Sequence, residues 1–347
     1  MAKGLKLGLN TGYWAGGPPP GIEDLVAEAE RLGFDSMWTS EAYGSDCVSP
    51  LAWWGSETKN MRLGTAIMQM SARPPAAAAM AAMTIDHLSG GRFILGIGVS
   101  GPQVVEGWYG MPFEKPLART REYIGVMRDI WARKGPVTND GPHYPLPMPG
   151  GTGLGKPLKS AIHPLREDIP IFLGCEGPKN IALCAELCDG WMSMLFSPTH
   201  QDIYLPSLEE GWGREGARRS SGDFEVACMV PMIVADDVQQ CADALRPFYA
   251  LYFGGMGAKG KNFHANVPIR MGYEKEILEI QDLYLDGKKD EAGAKIPFDL
   301  IDAMSLIGPR EKITDDLAKW RESVVTTLLI QGDANLLRTA AELVADD

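Results

Sequence analysis

The sequence predicts one (β/α)8 barrel, a single TIM barrel domain over residues 1–347, with insertions after strands 4 and 7. Three observations carry this expectation. Met61 to Pro102 reads strand, helix, strand with no spare residues, a βαβ unit of the kind that crosses over right-handed in a parallel sheet. Strand-like and helical runs go on alternating along the whole chain, with no change of composition at mid-chain to divide it into two doubly wound halves. A length of 347 residues also suits a barrel that carries insertions.

In the central unit, Arg62 to Met68 is a short run with Leu63, Ile67 and Met68 apolar, closed by the turn Gln69-Met70-Ser71. Pro74-Pro75 opens a helix, because proline is tolerated in a first turn whose N–H groups lack partners anyway. Ala76 to Leu88 is mostly small residues and methionine, so it can lie close on a sheet, and Gly90-Gly91 supplies the positive φ that ends a helix. Arg92 to Gly98 is apolar on successive residues (Phe93, Ile94, Leu95, Ile97), as a parallel strand buried on both faces requires.

The other elements follow in order. Leu5 to Asn10 is strand 1, and Ile22, Leu25, Val26, Ala29 and Leu32 make one helical stripe that Gly33 ends. Phe34 to Trp38 is strand 2, and a short helix lies near Pro50 to Thr58. Leu117 to Arg133 is a long amphipathic helix with Ile124, Met127, Ile130 and Trp131 on its core face. Residues 135–167 are rich in proline and glycine and lack a periodic run, so they form an excursion able to hold a hairpin or a lid. Pro170 to Gly174 is strand 5, Pro178 to Cys188 a helix, and Gly190 to Leu195 strand 6. Pro206 to Gly216 is helical, Arg218-Arg219 an exposed turn, Phe224 to Val234 strand 7, and Asp236 to Phe253 a helix. A second excursion, 254–305, holds helices near Glu274–Asp286 and Phe298–Met304. The helix from Pro309, strand 8 (Thr326 to Gln331) and the closing helix Ala334 to Ala345 complete the barrel.

Composition narrows the partners. A net charge of -12 argues against nucleic acid, whose phosphates need basic surface, and against an anionic membrane surface. No apolar run reaches the roughly 18–20 residues that span a bilayer, and the N-terminus lacks a signal-peptide apolar region. Six cysteines form no CxxC pair, and five histidines show no zinc spacing, so a metal site is not expected. Cys184 and Cys188, one turn apart on an apolar face, read as reduced core thiols, and the whole reads as a cytoplasmic protein acting on a small-molecule substrate.

In a barrel of this kind the chemistry sits at the C-terminal ends of the strands. Those ends are Asn10 to Trp14, Thr39 to Asp46, Thr65 to Arg73, Val99 to Val104, Gly174 to Asn180, Met194 to Thr199 and Gln331. Gly174-Cys175-Glu176-Gly177-Pro178-Lys179-Asn180 offers a helix N-terminus to an anion, although an ordinary strand-to-helix turn has the same pattern. Glu41 is open to two roles, acid/base work beside a ligand or a structural ion pair. Asp86 and Arg92, flanking the turn Leu88 to Gly91, read as a structural pair, and Trp53-Trp54 and Trp108-Tyr109 as loop residues near a pocket.

Thr84-x-Asp86-x-Leu88-Ser89-x-Gly91-Arg92-x-x-Leu95-Gly96-x-Gly98 resembles the signature of the luciferase-like monooxygenase superfamily. The following Ser100-Gly101-Pro102-Gln103-Val104 resembles its coenzyme F420-dependent oxidoreductase branch. The similarity runs from Leu5 to about Ile330 and is weaker over 140–165 and 254–305. The resemblance implies hydride transfer between the deazaflavin C5 of F420 and a small organic substrate, and a homodimer. It also implies a cofactor site made of Ser40, Glu41, Thr65, Ala66, Ile67, Ser100 to Val104 and Glu176, Gly177, Pro178, Lys179 and Asn180, with Glu41 as the catalytic candidate. The Gly174–Asn180 loop matches the one that holds the coenzyme's phosphate, and Ala66–Ile67 matches a non-proline cis peptide behind the ring. One relative branch carries a catalytic histidine where this chain has Ala42. Two alternatives stay open: an FMN-dependent monooxygenase, and a barrel that binds flavin or deazaflavin without catalysis. Lys179, Arg73, Lys156 and Lys159 are the cations available to the acidic tail that F420 has and FMN lacks.

Overall fold

The computed structural model describes residues 4–257, 259–260 and 262–345; residues 1–3, 258, 261, 346 and 347, which the single-domain expectation includes, lie outside the described residues. Its strands are β1 (Lys6–Asn10), β2 (Ser36–Thr39), β3 (Arg62–Thr65), β4 (Met68–Gln69), β5 (Phe93–Gly98), β6 (Ile171–Gly174), β7 (Gly190–Ser193), β8 (Glu225–Met229), β9 (Met232–Val234), β10 (Leu306–Gly308) and β11 (Thr327–Ile330). All pair in parallel. β1, β2, β3, β5, β6, β7, β8 and β11 form a ring that closes where β11 returns to β1, and β4 continues the line of β3 along β5. The chain is a (β/α)8 barrel.

The helices outside it are α1 (Ile22–Arg31), α2 (Val48–Gly55), α3 (Pro75–Leu88), α4 (Pro102–Val105), α5 (Pro116–Ala132), α6 (Pro178–Leu187), α7 (Leu205–Trp212) and α8 (Val238–Ala250). α9 (Asn266–Pro268), α10 (Glu274–Leu285), α11 (Lys289–Ala294), α12 (Phe298–Ala303), α13 (Arg310–Glu322) and α14 (Ala334–Ala345) follow. The large core lies between strands and helices, and Cys184 and Cys188 are buried in it as free thiols. A second cluster (Trp38, Ile94, Phe172, Met192, Ala227 and Leu329) fills the barrel itself. Trp38 is its bulkiest member, and Gly64 beside it leaves the room: a Cβ there would stand 2.2 Å from the indole. Trp131, on the face of α5 that periodicity marks, donates to the Ala79 carbonyl and ties α5 to α3.

Several expectations are corrected. The run Phe224 to Val234 is two strands. Pro231 has no N–H to give to a ladder, so the chain leaves the barrel after β8, and β9 pairs with β10, a strand the sequence did not reveal. Asp86 and Arg92 are structural but not a pair. Asp86, fully buried, is held by Arg166 from the first insertion, while Arg92 donates to the carbonyls of Thr58, Met61 and Ser89. Arg218 and Arg219 are not an exposed turn but half-buried, because Asp189, 5% exposed, draws both guanidinium groups at 2.8 and 2.7 Å. Trp53 and Trp54 belong to α2 and not to a loop; Trp54 packs on Trp14 at 5.9 Å, and Trp53 faces outward.

Residues 135–167 contain two isolated antiparallel bridges, Val137 with Leu158 and Asn139 with Leu146. Glu122 on α5 pins the segment by accepting from the Asn139 amide and from the backbone N–H groups of His143 and Tyr144.

Candidate functional site

Four neighbouring strand ends bring the sequence-derived candidates to one arc of the barrel mouth. At its floor the Ala66–Ile67 bond is cis, as the resemblance implied. Thr65 Oγ1 donates to the Gly96 carbonyl at 2.7 Å and holds the bulge against β5. Ile67 then lies over Gly98 and Gly174, where added Cβ atoms would stand 2.3 and 3.0 Å from its side chain. Glycine is needed on both strands for that approach. Ala66 and Ile67 pack on the barrel-filling cluster yet stay half-exposed, so they form the floor and not a part of the core.

At the end of β2, Ser40 and Glu41 are buried. Glu41 Oε2 accepts from the Gln69 backbone N–H and from Arg73 Nη1, both at 2.8 Å. Of the two roles open to Glu41, the ion pair is the one present. It also occupies Arg73, which the sequence had offered to an acidic tail. Asn10 accepts from the Gly12 N–H and anchors its own loop. Beyond β5, Ser100 has φ 57°, a left-handed conformation unusual without glycine, and turns the chain into α4 at Pro102. Gly101, Pro102 and Val104 are half-buried and Gln103 exposed. The Tyr109 hydroxyl donates to the Ala42 carbonyl at 3.4 Å, which closes this side of the arc.

The loop after β6 is the polar centre. Gly177 precedes α6, Pro178 occupies its first turn, and no side chain caps that end. Lys179 is exposed and has no ion pair among the described residues. Glu176 is 8% exposed; its Oε1 accepts from the Met194 N–H at 3.2 Å, and its Oε2 has no partner. Burial pushes its carboxyl up to about 7, against the opposing effects of the Met194 N–H and the Arg270 charge. A carboxyl here is therefore close to half-protonated near neutral pH.

No motif or periodicity pointed to Arg270. It comes from the second insertion, 94 residues downstream, and donates to the Glu176 carbonyl at 2.8 Å while its Nε stays unpaired. No local pattern reports such a contact, because the insertion has no periodic relation to the barrel. His264, from the same insertion, lies edge-on to Tyr252 with Nδ1 unpaired, and burial lowers its pKa to about 4. Gln69 Oε1, Asn180 Oδ1 and Ser193 Oγ are also buried without partners. Buried polar atoms are normally satisfied, so orphans grouped around one end of a barrel point to a polar ligand. Phe263 reaches across to Phe113 at 6.4 Å, so the second insertion also supplies apolar cover.

The sequence profile of the luciferase-like monooxygenase family matches residues 8–327. A protein of Mycobacterium tuberculosis assigned by name to the coenzyme F420-dependent oxidoreductases, Rv3520c, is 53% identical over 99% of this chain and 100% of its own length. The 5,10-methylenetetrahydromethanopterin reductase of Archaeoglobus fulgidus is 27% identical, over 89% of this chain and 88% of its own. Among solved structures, the coenzyme F420-dependent tetrahydromethanopterin reductase of Methanopyrus kandleri superposes with a TM-score of 0.80 at 22% identity, covering 100% of this chain and 99% of that one. That last likeness bears on the fold alone.

Proposed function

The chain belongs to the luciferase-like monooxygenase family, and on that premise we propose that it is a coenzyme F420-dependent oxidoreductase acting on a small organic substrate. The 53% identity, end to end, with a relative named for that coenzyme carries this reading. The geometry fits it: a phosphate suits the uncapped start of α6 beside Lys179 and Arg270, and a flat ring suits the Ala66–Ile67 floor.

When bound, F420 supplies hydride chemistry at its C5. The protein's part is binding, orientation and exclusion of water. Gly177 to Asn180 hold the anionic end, and Ser100 to Val104 form the wall of the arc next to it. Glu41 keeps Arg73 and the Gln69 N–H in place and so acts as a positioning residue. Glu176, able to keep its proton near neutral pH, lets an anion approach without a fixed like charge beside it. The second insertion serves as a cover, bringing Phe263, His264 and Arg270 over the mouth; the first runs along α5 to the foot of β5, where Arg166 meets the Phe93 carbonyl.

The chain works as a homodimer in this reading. Ala77, Met80, Thr84 and Leu88 give α3 an outward face without charge, with Met80 59% and Leu88 75% exposed, on a protein that is otherwise strongly acidic.

The test is a fluorescence titration of the purified protein with F420 and FMN side by side. Tight F420 binding with negligible FMN binding is expected. Binding of FMN alone would transfer the site to flavin-dependent oxygen chemistry and overturn the proposal.

A further inference from the structure

Adding a hydride to a carbonyl also takes a proton, and the barrel mouth holds few groups free to give one. Glu41 is tied to Arg73, and Glu176 stands at the phosphate loop. Most of the ten tyrosines are committed. The hydroxyls of Tyr109, Tyr123, Tyr204 and Tyr249 donate to carbonyls, Tyr273 donates to Asp299, and Tyr144 accepts from Arg119. Among the described residues Tyr13, Tyr43, Tyr252 and Tyr284 remain. Tyr284 packs under Lys289 and against Gly254 and Gly255, whereas Tyr13, Tyr43 and Tyr252 lie close enough to act on one another.

Tyr13 stands on the loop that leaves β1. Before it, Gly12 takes φ 73° against the Gln331 side chain at the exit of β11; after it, Trp14 packs on Trp54 of α2. In the ring β6 is the fourth neighbour of β1 in either direction, so Tyr13 stands across the mouth from the Gly177–Asn180 loop. Its side chain is 58% exposed, yet burial is the main cause that raises its pKa. A group that solvent reaches while protein surrounds it on most sides lines a cleft. Against that burial, a hydrogen bond with Tyr252 lowers the Tyr13 pKa; Tyr252 itself is raised, first by burial and then by Tyr13. Tyr252 is thus the donor and the Tyr13 oxygen the acceptor, the sense that steadies a phenolate at Tyr13.

Tyr252 is firmly backed. It lies buried in the π-helical turn Leu251–Gly255 that follows α8, a backbone form frequent at functional sites. The buried Asn262 amide donates to the carbonyls of Tyr252 and Phe253 at 2.8 and 2.9 Å and accepts from the His264 N–H at 3.0 Å. The His264 ring, edge-on to Tyr252 at 5.2 Å, is neutral near pH 7 because burial lowers its pKa to about 4. It packs behind the pair and has no cationic proton to give.

We propose that Tyr13 is the catalytic acid of this mouth, that Tyr252 is the positioning residue that holds it, and that the substrate is a carbonyl compound or an enone. The proposal rests on the F420 reading above. As the substrate carbon takes the hydride of the reduced deazaflavin, the π pair moves onto the substrate oxygen. The Tyr13 O–H bond breaks and its proton goes to that oxygen. The phenolate left behind keeps the Tyr252 hydrogen bond and regains a proton from water on its open side. The substrate gains two electrons and two hydrogens, and the deazaflavin is oxidised by the same two electrons. In the reverse direction Tyr13 is the base.

The experiment uses the full chain, reduced F420 and two kinds of acceptor. Benzaldehyde, acetophenone and cyclohexenone need a proton with the hydride, whereas the N-methylacridinium cation needs none. Tyr13→Phe should slow each carbonyl acceptor that the wild type reduces by about 10²–10⁴-fold, with F420 affinity and acridinium reduction within about twofold. Tyr252→Phe should slow the same acceptors by about tenfold, the scale of one hydrogen bond. In the protein without coenzyme, carbon NMR of tyrosine labelled at Cζ identifies the Tyr13 signal by its loss in Tyr13→Phe. That signal should titrate at higher pH in Tyr252→Phe than in wild type, because the bond that lowers it is gone. Equal losses with both kinds of acceptor would make Tyr13 merely structural and overturn its assignment. An unmoved Tyr13 titration, unchanged carbonyl reduction in Tyr13→Phe, or no carbonyl reduction by the wild type would overturn it too, with the F420 reading still standing on its binding titration. Failure of F420 to bind would overturn both.

Discussion

Glu176→Gln separates the buried carboxyl from every other titrating group. The folded protein holds the Glu176 proton up to about pH 7, whereas the unfolded chain releases it near the ordinary 4.5. Above 4.5 the unfolded state is thus the one that binds fewer protons, and stability falls as pH rises through about 7. At about 1.4 kcal/mol for each pH unit, the distance from 4.5 to about 7 is worth roughly 3 kcal/mol. The wild-type profile by itself would hide much of this. His264, lowered to about 4 by burial, contributes stability with the opposite sign: present above its ordinary 6.5 and lost as pH falls toward 4. Between about pH 4.5 and 6.5 the two groups nearly cancel, so the informative quantity is the difference between wild type and variant. Urea unfolding from about pH 4 to pH 8.5 should show Glu176→Gln gaining about 3 kcal/mol relative to wild type across that range, with the denaturant slope unchanged. Parallel profiles would refute the reasoning, because they would mean that Glu176 titrates alike in both states.

Other expectations follow from single contacts. His264→Gln should leave the Glu176 contribution uncancelled, so that stability in the same unfolding series rises by roughly 3 kcal/mol as pH falls from about 7 to about 4.5, where the wild type is nearly flat. Arg270→Gln should weaken F420 by roughly tenfold, the scale of one hydrogen bond involving a charge, and leave a phosphate-free deazaflavin unaffected in the same titration. Gly96→Ala should cost more than about 3 kcal/mol in urea unfolding, because its Cβ would overlap the Thr65 carbonyl; Gly177→Ala, with open space around it but at the N-cap of α6 where glycine is preferred to alanine, should cost less, about 0.5–1 kcal/mol. Met80→Lys/Leu88→Lys should shift the protein to monomer in sedimentation velocity without loss of folded signal, if the uncharged α3 face is the dimer contact.

The barrel was legible because its determinants are local. Phe93 to Ile97 is apolar on successive residues, Gly90-Gly91 does stop α3 with both glycines at positive φ, and α14 covers the span its periodicity marks. Legibility ended where long-range partners decide. Leu306–Gly308 is too short to read as a strand; it becomes one only because Pro231 releases β9 from the barrel to meet it. Asp86 and Arg92 lie six residues apart, yet their partners come from residues 58–61 and 166, and Arg218-Arg219 looked like solvent-facing charge until a buried Asp189 claimed them.

The site divides along the same line, and the division has a physical origin. Residues that a strand end carries to the mouth, such as Glu41, Ala66, Ile67 and Glu176, follow from topology once the barrel is recognised. Their states do not follow from topology, because a state is set by what lies opposite. Glu41 has an acceptor oxygen satisfied by Arg73 and a backbone N–H, so it stands in a charged pair. Glu176 is equally buried but meets only one N–H, while the nearest cation binds its carbonyl and not its carboxylate. One carboxylate is therefore held in an ion pair and the other is free to hold a proton, on strands a few positions apart in the same ring. One side of the mouth is thus an ion-paired wall and the other carries a carboxyl able to hold its proton, which is the side the F420 reading gives to a phosphate. The insertion that brings Arg270 is what completes the second side, and it is the part that neither motif nor periodicity announces.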